Sequence, residues 1–158
     1  MFSYHDKYGQ QVDIYFTELG EKMDDCLVIA KFDEKWLFTQ HKIRGIEFAG
    51  GKGEGNETNI DTAKRELMEE TGAYADEFIF IADYVIKTTE RCFTKRVFFC
   101  EIIKLISQKN YFETRGPVLL KGKLRTLVKD ASFSFFMQDE GMQAILAELY
   151  RKVNVEEM

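Results

Sequence analysis

The sequence predicts an α/β sandwich in which a mixed β-sheet lies between helices. Segments with strand character alternate with two helical segments, one central and one at the carboxyl end, and this order is typical of such sandwiches. The 158 residues suffice for one domain with a full core, so we predict a single domain over residues 1–158. Fourteen Phe residues against one Pro indicate aromatic-rich strands rather than a loop-rich scaffold.

The strands before the central helix follow from local composition. Residues 12–16 are rich in β-formers and predict an opening strand. Residues 26–32 form a largely apolar run that suits a buried strand. A polar turn over residues 33–35 then predicts that residues 36–40 return as the second arm of a hairpin.

The second half of the chain predicts further strands and a closing helix. Residues 78–87 and 92–103 are expected to form two long strands, and residues 118–120 a short edge strand after Pro117. The intervening residues 107–116 and the basic residues 121–131 are interpreted as loops. A helix is predicted over residues 138–153, because four apolar residues share one stripe there: Met142, Ile145, Leu146 and Leu149.

The central helix has clear start and stop signals. It follows a glycine-rich entry over residues 50–55. Thr58 is a suitable N-cap, and Asp61 stands three residues later, as in a capping box. Gly72 is well placed as the left-handed residue that ends the helix.

The central helix also has two different faces. Three residues are expected to form its buried stripe: Ile60, Ala63 and Leu67. Three carboxylates share another patch, since residues three and four apart are neighbours on a helix: Glu66, Glu69 and Glu70. Arg65 can pair with Glu69, which leaves Glu66 and Glu70 uncompensated in this interpretation. Oxygen-rich clusters of this kind suit hard divalent cations, Mg²⁺ above all.

This stretch resembles the conserved box of the Nudix hydrolases. The matching positions are Gly51, Glu57, Arg65, Glu66, Leu67, Glu69, Glu70 and Gly72. Ala73 departs from the larger aliphatic residue that the family prefers, and Ala49 replaces the usual Pro before the double glycine. The resemblance implies a Nudix-type α/β/α sandwich and an enzyme that cleaves nucleoside diphosphates linked to another group.

The resemblance also implies roles for individual residues. The metal ligands would be Glu66, Glu69, Glu70 and the backbone carbonyl near Gly50, with Mg²⁺ as cofactor and Mn²⁺ as a possible substitute. Glu66 or Glu70 would orient or deprotonate the attacking water. Glu57 and Arg65 would form a supporting pair that fixes the helix against the loop, and Gly51 would lie beside the substrate.

Further candidates lie outside the helix. Lys52 could bind phosphate as a point charge, or it could be an ordinary exposed lysine. An additional glutamate on a later loop is implied by the resemblance to MutT-like members. We favour Glu113 over Glu101 for that role, although either could be a solvated surface carboxylate. His41 could line the pocket, but a lone histidine is more often structural.

The substrate class follows from the same resemblance. No Pro occurs between the box and Pro117, and Tyr84 lies too close to the box, which disfavours ADP-ribose and dinucleoside-polyphosphate substrates. The expected reaction is hydrolysis of nucleoside triphosphates, with oxidised purines such as 8-oxo-dGTP included, to the monophosphate and pyrophosphate. The alternative is removal of pyrophosphate from 5′-triphosphorylated RNA in a basic groove lined by Lys121, Lys123, Arg125 and Lys129. A non-catalytic nucleotide-binding protein is a third, less favoured hypothesis, because the charged box positions are intact.

Composition limits the remaining possibilities. A net charge of −5 argues against broad, non-specific nucleic-acid binding. Three cysteines without metal-site spacing indicate free, largely buried thiols, as expected in a reducing cytoplasm. Neither a signal peptide nor an apolar run of membrane-spanning length is evident, so we expect a cytoplasmic protein that does not bind membranes. The sequence does not indicate an oligomeric state.

Overall fold

The structure is a computed structural model that describes residues 1–153; residues 154–158 of the predicted domain lie outside the described residues. The strands are β1 Phe2–His5, β2 Gln11–Tyr15, β3 Asp25–Phe32, β4 Lys35–His41, β5 Gly45–Glu47, β6 Ala49–Lys52, β7 Ala73–Tyr74, β8 Ile79–Lys87, β9 Cys92–Glu101, β10 Lys104–Leu105 and β11 Thr114–Leu120. The helices are α1 Asn59–Thr71, α2 Leu124–Leu127 and α3 Glu140–Val153, with a 3₁₀ turn over Phe135–Met137.

Nine of these strands form one mixed sheet. Its main path runs β1-β2-β8-β9-β3-β4-β11, with β5 paired to β4 and β6 paired to β3. Strands β3 and β9 are parallel, whereas the other pairs along the path are antiparallel. The short strands β7 and β10 form a separate pair. The predicted mixed sheet is therefore confirmed.

Successive strand residues point to opposite sides of the sheet, and a helix covers each side. On one face, α1 packs through Ala63 and Leu67 against Val28 of β3 and Phe98 of β9. On the other face, α3 packs against a second cluster, whose fully buried members include Ile14, Trp36, Phe38, Ile81, Leu146 and Leu149. This arrangement confirms the predicted α/β/α sandwich.

The ends of α1 are as predicted. The Thr58 hydroxyl accepts from the Asp61 N–H at 3.1 Å, and the Asp61 carboxylate accepts from the Thr58 N–H at 3.0 Å, which completes the capping box. Gly72 ends the helix in the left-handed region with φ of +77°, and its N–H donates to the Met68 carbonyl at 2.8 Å. Local signals therefore fix the length of α1.

The predicted buried stripe of α1 is wrong at Ile60, which is 41% exposed. Asn59 is buried in its place, because its side chain accepts from the Met23 N–H at 2.8 Å and donates to the Met23 carbonyl at 2.9 Å. These two hydrogen bonds to the loop before β3 orient the first turn of α1 so that Thr62 and Ala63 face inward. A long-range contact thus overrides the apolar pattern.

Other local predictions need smaller corrections. Strand β1 lies outside the predicted strands, and the edge strand begins at Thr114, earlier than expected. The basic segment 121–131 contains the short helix α2 rather than only a loop. All three cysteines are free, as expected, but Cys92 is exposed. Over residues 1–153, none of the helices combines the length and the apolar character needed to cross a membrane.

We predict that Gly72→Ala destabilises the protein far more than Gly55→Ala. Both glycines have positive φ, so each substitution incurs the left-handed penalty of about 1–2 kcal/mol. A Cβ at Gly72 would also overlap the carbonyl oxygen of Ile106, whereas nothing lies within 4 Å of a Cβ at Gly55. Urea unfolding should show a loss at least about 2 kcal/mol greater for the Gly72 variant. Equal losses would contradict the predicted overlap.

Candidate active site

Glu66 and Glu70 of α1 meet strand β6 at the double glycine. A Cβ at Gly51 would lie 2.6 Å from the carboxyl carbon of Glu66, so only glycine lets this side chain reach the strand. The Glu70 carboxylate accepts from the Gly50 N–H at 2.9 Å. The glycine-rich entry and the acidic patch are therefore two halves of one site.

The carboxyl end of α1 is held in place by two buried threonines. The hydroxyls of Thr39 on β4 and Thr114 on β11 both donate to the Glu70 carbonyl, at 3.1 and 3.3 Å. No local pattern indicates these contacts, since the strands that carry the two threonines are far apart in the chain. They fix the position of the Glu70 backbone over the end of the sheet.

Burial strongly affects both carboxylates. Desolvation raises the pKa of Glu66 to about 7, although the hydrogen bond from Arg65 opposes the shift. Desolvation raises the pKa of Glu70 to about 8, against the opposing effect of the Gly50 N–H, and the nearby charges of Glu66 and Glu113 add to the rise. Burial therefore disfavours the charged forms of both carboxylates in the absence of a cation.

Arg65 is the hub of the polar contacts around α1. Its guanidinium binds both oxygens of Glu57, with Nε–Oε2 at 2.7 Å and Nη2–Oε1 at 3.0 Å. Nη1 lies 2.9 Å from Glu66 Oε1 and 3.3 Å from Glu69 Oε2. Nη2 also donates to the Lys52 carbonyl at 2.9 Å. The expectation that Glu66 lacks a basic partner is therefore wrong, whereas Glu70 has no such partner within residues 1–153.

Glu57 is held as the charged partner of this arginine. The hydrogen bonds from Arg65 are the main cause that lowers the pKa of Glu57 to about 2, and the Glu54 N–H adds to the effect. The Thr62 hydroxyl donates to the same carboxylate at 3.0 Å. The predicted pair of Glu57 and Arg65 is thus present, and it joins the glycine-rich loop to the helix.

A cavity of about 410 Å³ opens beside this cluster. Gly50, Gly51 and Glu70 line one part of it, and Glu113 lines it from the loop before β11. Glu101 instead lines a separate shallow pocket with Asp76 and Glu77, so it is remote from the cluster. Lys52 is exposed and does not line the cavity; its carbonyl, rather than its ammonium, contacts the cluster.

The cavity also contains polar residues that sequence reasoning missed. Glu47 is 8% exposed and forms a two-point ion pair with Arg44, with Nε–Oε2 at 2.7 Å. Asp25, Tyr84 and Lys95 come from three adjacent strands of the sheet and line the same space. Only the register of the sheet brings these residues together, and no local pattern in the sequence encodes it.

His41 lines the cavity in a structural arrangement. Its Nδ1 accepts from the backbone N–H groups of Ile43 and Arg44, at 3.1 and 3.0 Å. These bonds shape the turn after β4 and leave Nε2 as the protonated nitrogen of the neutral ring. The structure is therefore consistent with the structural role expected for His41.

The donor set fits a hard divalent cation. Glu66, Glu69 and Glu70 offer only carboxylate oxygens, and a bound cation would offset the desolvation that disfavours the charged forms of Glu66 and Glu70. Within residues 1–153, no three acidic, histidine or cysteine side chains are already close enough together to enclose an ion. Glu69 instead contacts Arg65.

Comparisons with known proteins agree with this geometry. Residues 20–115 match the NUDIX domain model. A candidate 8-oxo-dGTP diphosphatase, YtkD of Bacillus subtilis (strain 168), is 36% identical over 151 residues, which cover 94% of this chain and 96% of YtkD.

Two solved structures illustrate the structural similarity. A mutant of the Bacillus subtilis pyrophosphohydrolase BsRppH superposes with a TM-score of 0.91 and 34% identity, covering 99% of this chain and 100% of that one. A NUDIX hydrolase from Nitrosomonas europaea shares the fold, with a TM-score of 0.63 and 13% identity over 87% of this chain and 98% of its own. The match to the family model and the identity to YtkD over nearly the whole chain show that this protein belongs to the Nudix hydrolase family.

Proposed function

We propose that this enzyme hydrolyses nucleoside triphosphates, oxidised purine nucleotides such as 8-oxo-dGTP included, to the monophosphate and pyrophosphate in a Mg²⁺-dependent reaction. The observation that carries the proposal is the meeting of Glu66 and Glu70 with Gly50 and Gly51 beside a cavity of about 410 Å³. That volume is within the range of small-ligand sites. The similarity to YtkD, named for 8-oxo-dGTP, supports the substrate class.

In this proposal, Glu66, Glu69, Glu70 and the Gly50 carbonyl hold the cation, with Mn²⁺ as a possible substitute. The cation would neutralise phosphate charge as the phosphoanhydride is broken. Gly51 lines the cavity and would lie beside the phosphates, and Lys52 would contribute positive charge from the exposed end of β6. Arg65 and Glu57 keep the helix at the correct distance from the strand.

The attacking water needs a base, and three carboxylates are candidates. Burial brings the pKa of Glu66 and Glu70 close to neutral, which is the range that suits a general base. Glu113 reaches the same cavity from a different loop and is close enough to influence both pKa values. We propose that one of these carboxylates orients and deprotonates the water.

The second candidate function is removal of pyrophosphate from 5′-triphosphorylated RNA. The similarity to a protein named pyrophosphohydrolase favours it, as does the surface beside the cavity, where Lys42 Nζ donates to the Phe112 carbonyl at 3.1 Å and both Ile43 and Phe112 are exposed. The basic residues first considered for an RNA groove lie elsewhere. Lys121 follows the far end of β11, about 26 Å along the strand from Glu113, and it pairs with Glu34.

We propose the cytoplasm as the location of this activity. An enzyme in the cytoplasm would meet nucleoside triphosphates without being exported. The three free cysteines also suit a reducing compartment.

Glu70→Gln should lower kcat for GTP, dGTP and 8-oxo-dGTP at least about 100-fold, because it removes a charged ligand while keeping the side-chain shape. Steady-state assays of pyrophosphate release in Mg²⁺ measure this effect. Chelation by EDTA should abolish wild-type turnover, and added Mg²⁺ or Mn²⁺ should restore it. Glu90→Gln, on an exposed turn, is the matched control and should retain full activity. Unchanged turnover in the Glu70 variant would show that the metal-site assignment is wrong.

Arg65→Lys should lower kcat/KM by about 10- to 100-fold and raise the Mg²⁺ concentration needed for half-maximal activity. Lysine keeps the charge but cannot bind Glu57, Glu66 and the Lys52 carbonyl at once. A Mg²⁺ titration of turnover measures both effects. Arg151→Lys is the matched control, because the exposed Arg151 makes a similar two-point contact with Glu148 on α3, outside the cavity. The proposed supporting role would be ruled out by an Mg²⁺ dependence equal to that of the wild type.

Relative rates on GTP and on a 5′-triphosphorylated oligonucleotide should distinguish the two candidate functions. The leading proposal predicts a higher kcat/KM for the free nucleotide, because in that proposal the residues of the site bind the phosphates and base of a single nucleotide. Charge reversal by Lys42→Glu should then weaken the oligonucleotide reaction about tenfold while changing the GTP rate less than about twofold. A higher kcat/KM for the oligonucleotide would favour the RNA function instead.

A further inference from the structure

Three polar side chains on adjacent strands of the sheet line the cavity. Tyr84 of β8 pairs with Lys95 of β9, and Lys95 pairs with Asp25 of β3. Paired residues on adjacent strands point to the same face of a sheet, so the three side chains lie side by side. All three line the cavity that also contains Gly50 and Glu70.

Asp25 has an unsatisfied acceptor at this position. Its Oδ1 atom is buried and has no hydrogen-bond partner within the described residues. An unpaired buried acceptor is costly, so a ligand that donates a hydrogen bond there would gain affinity. Ionised phosphates have no hydrogen to donate and carry the same charge as the carboxylate. The group that fits beside Asp25 is therefore part of a nucleoside rather than of the phosphate chain.

Lys95, on the adjacent strand, provides a hydrogen-bond donor. Its ammonium lies 5.7 Å from the centroid of the Tyr84 ring, and within residues 1–153 it has no carboxylate partner within 4.0 Å. An ammonium donates hydrogen bonds and accepts none. Asp25 and Lys95 thus present an acceptor and a donor from paired positions on adjacent strands, whose backbones lie about 4.8 Å apart.

We propose that Asp25 and Lys95 read the Watson–Crick edge of a guanine base. The N1–H and the 2-amino group of guanine would donate to Asp25, and O6 would accept from Lys95. This inference rests on the proposed nucleotide hydrolysis and adds the residues that select the base. Oxidation at C8 leaves this edge unchanged, so these contacts accept guanine and 8-oxoguanine equally.

The rest of the cavity suits the faces of a purine. Ile86 and Met137 provide apolar walls, and Phe136 is 43% exposed although it lines the cavity. Its ring packs on Phe135, with 4.1 Å between the ring centroids, and the part of the ring that Phe135 leaves open can contact a base. The guanidinium of Arg44 lies 5.4 Å from the centroid of the Phe136 ring and holds it in place. The cavity therefore has an apolar lining together with a row of polar side chains.

The test compares GTP, ITP and dGTP as substrates for the wild type and for Asp25→Asn. Inosine lacks only the 2-amino group, so the wild type should prefer GTP over ITP by about tenfold or more in kcat/KM. In the Asp25 variant this preference should fall to within about twofold. Asp76→Asn, at an exposed position outside the cavity, is the matched control and should keep the wild-type preference.

Lys95→Met provides the second arm of the test. GTP and ITP both carry O6, so this variant should slow both by a similar factor of about tenfold and keep their ratio. The proposal is overturned if Asp25→Asn leaves the GTP-to-ITP ratio unchanged. It is also overturned if that variant changes only the GTP-to-dGTP ratio, which would assign Asp25 to a sugar hydroxyl.

Failure of the proposed function would be distinguishable from failure of this inference. If the wild type hydrolyses no nucleoside triphosphate, calorimetry with GMP and IMP still tests the base contact. Tighter binding of GMP by the wild type, lost in Asp25→Asn, supports the base assignment. Equal binding of the two monophosphates overturns it. Thermal melting of both variants shows whether the fold is intact.

Discussion

The contacts of the Arg65 guanidinium are the constraint on which the rest of the site depends. Three carboxylates on one helical patch, with Glu57 close by, repel one another unless a cation lies among them. Arg65 binds Glu57, Glu66 and Glu69, and its remaining N–H reaches the Lys52 carbonyl on β6. The planar guanidinium can make all these contacts at once, because its five donors point in fixed directions. The arginine therefore sets both the spacing of the carboxylates and the distance from helix to strand.

Glu70 is not among the carboxylates that Arg65 binds. It lies within the described structure without an arginine or lysine partner, and a single backbone N–H from Gly50 compensates its charge. Its backbone is nevertheless firmly held, because Thr39 and Thr114 both donate to its carbonyl. A rigid backbone with a poorly neutralised carboxylate is the arrangement expected of a group that needs an external cation. Arg65 thus binds Glu66 and Glu69, whereas Glu70 is held through its backbone and its carboxylate has no basic partner among residues 1–153.

Local signals predict the parts of this fold that depend on short stretches of chain. Both caps of α1 and the long strands are predictable, because their determinants lie within a few residues. The prediction fails at Ile60 because the tie between Asn59 and Met23 spans 36 positions. Asp25, Lys95 and Tyr84 escape prediction for the same reason, since their proximity depends on the register of three strands. The acidic cluster is predictable as a motif, but its link to Arg65 through Glu66 requires the rotamers that packing selects.

The two ends of the cavity are built in different ways, and this has a consequence for specificity. The end beside the acidic patch consists mainly of one helix and the strand before it, so its residues are close in sequence. The opposite end collects Tyr84, Lys95 and Asp25 from separate strands, and each can change without disturbing α1. Substitutions there alter hydrogen-bond donors and acceptors on a sheet whose register is set by the backbone. With the base contacts proposed for Asp25 and Lys95, the fold would retain one hydrolytic chemistry while two or three side chains change the base that it accepts.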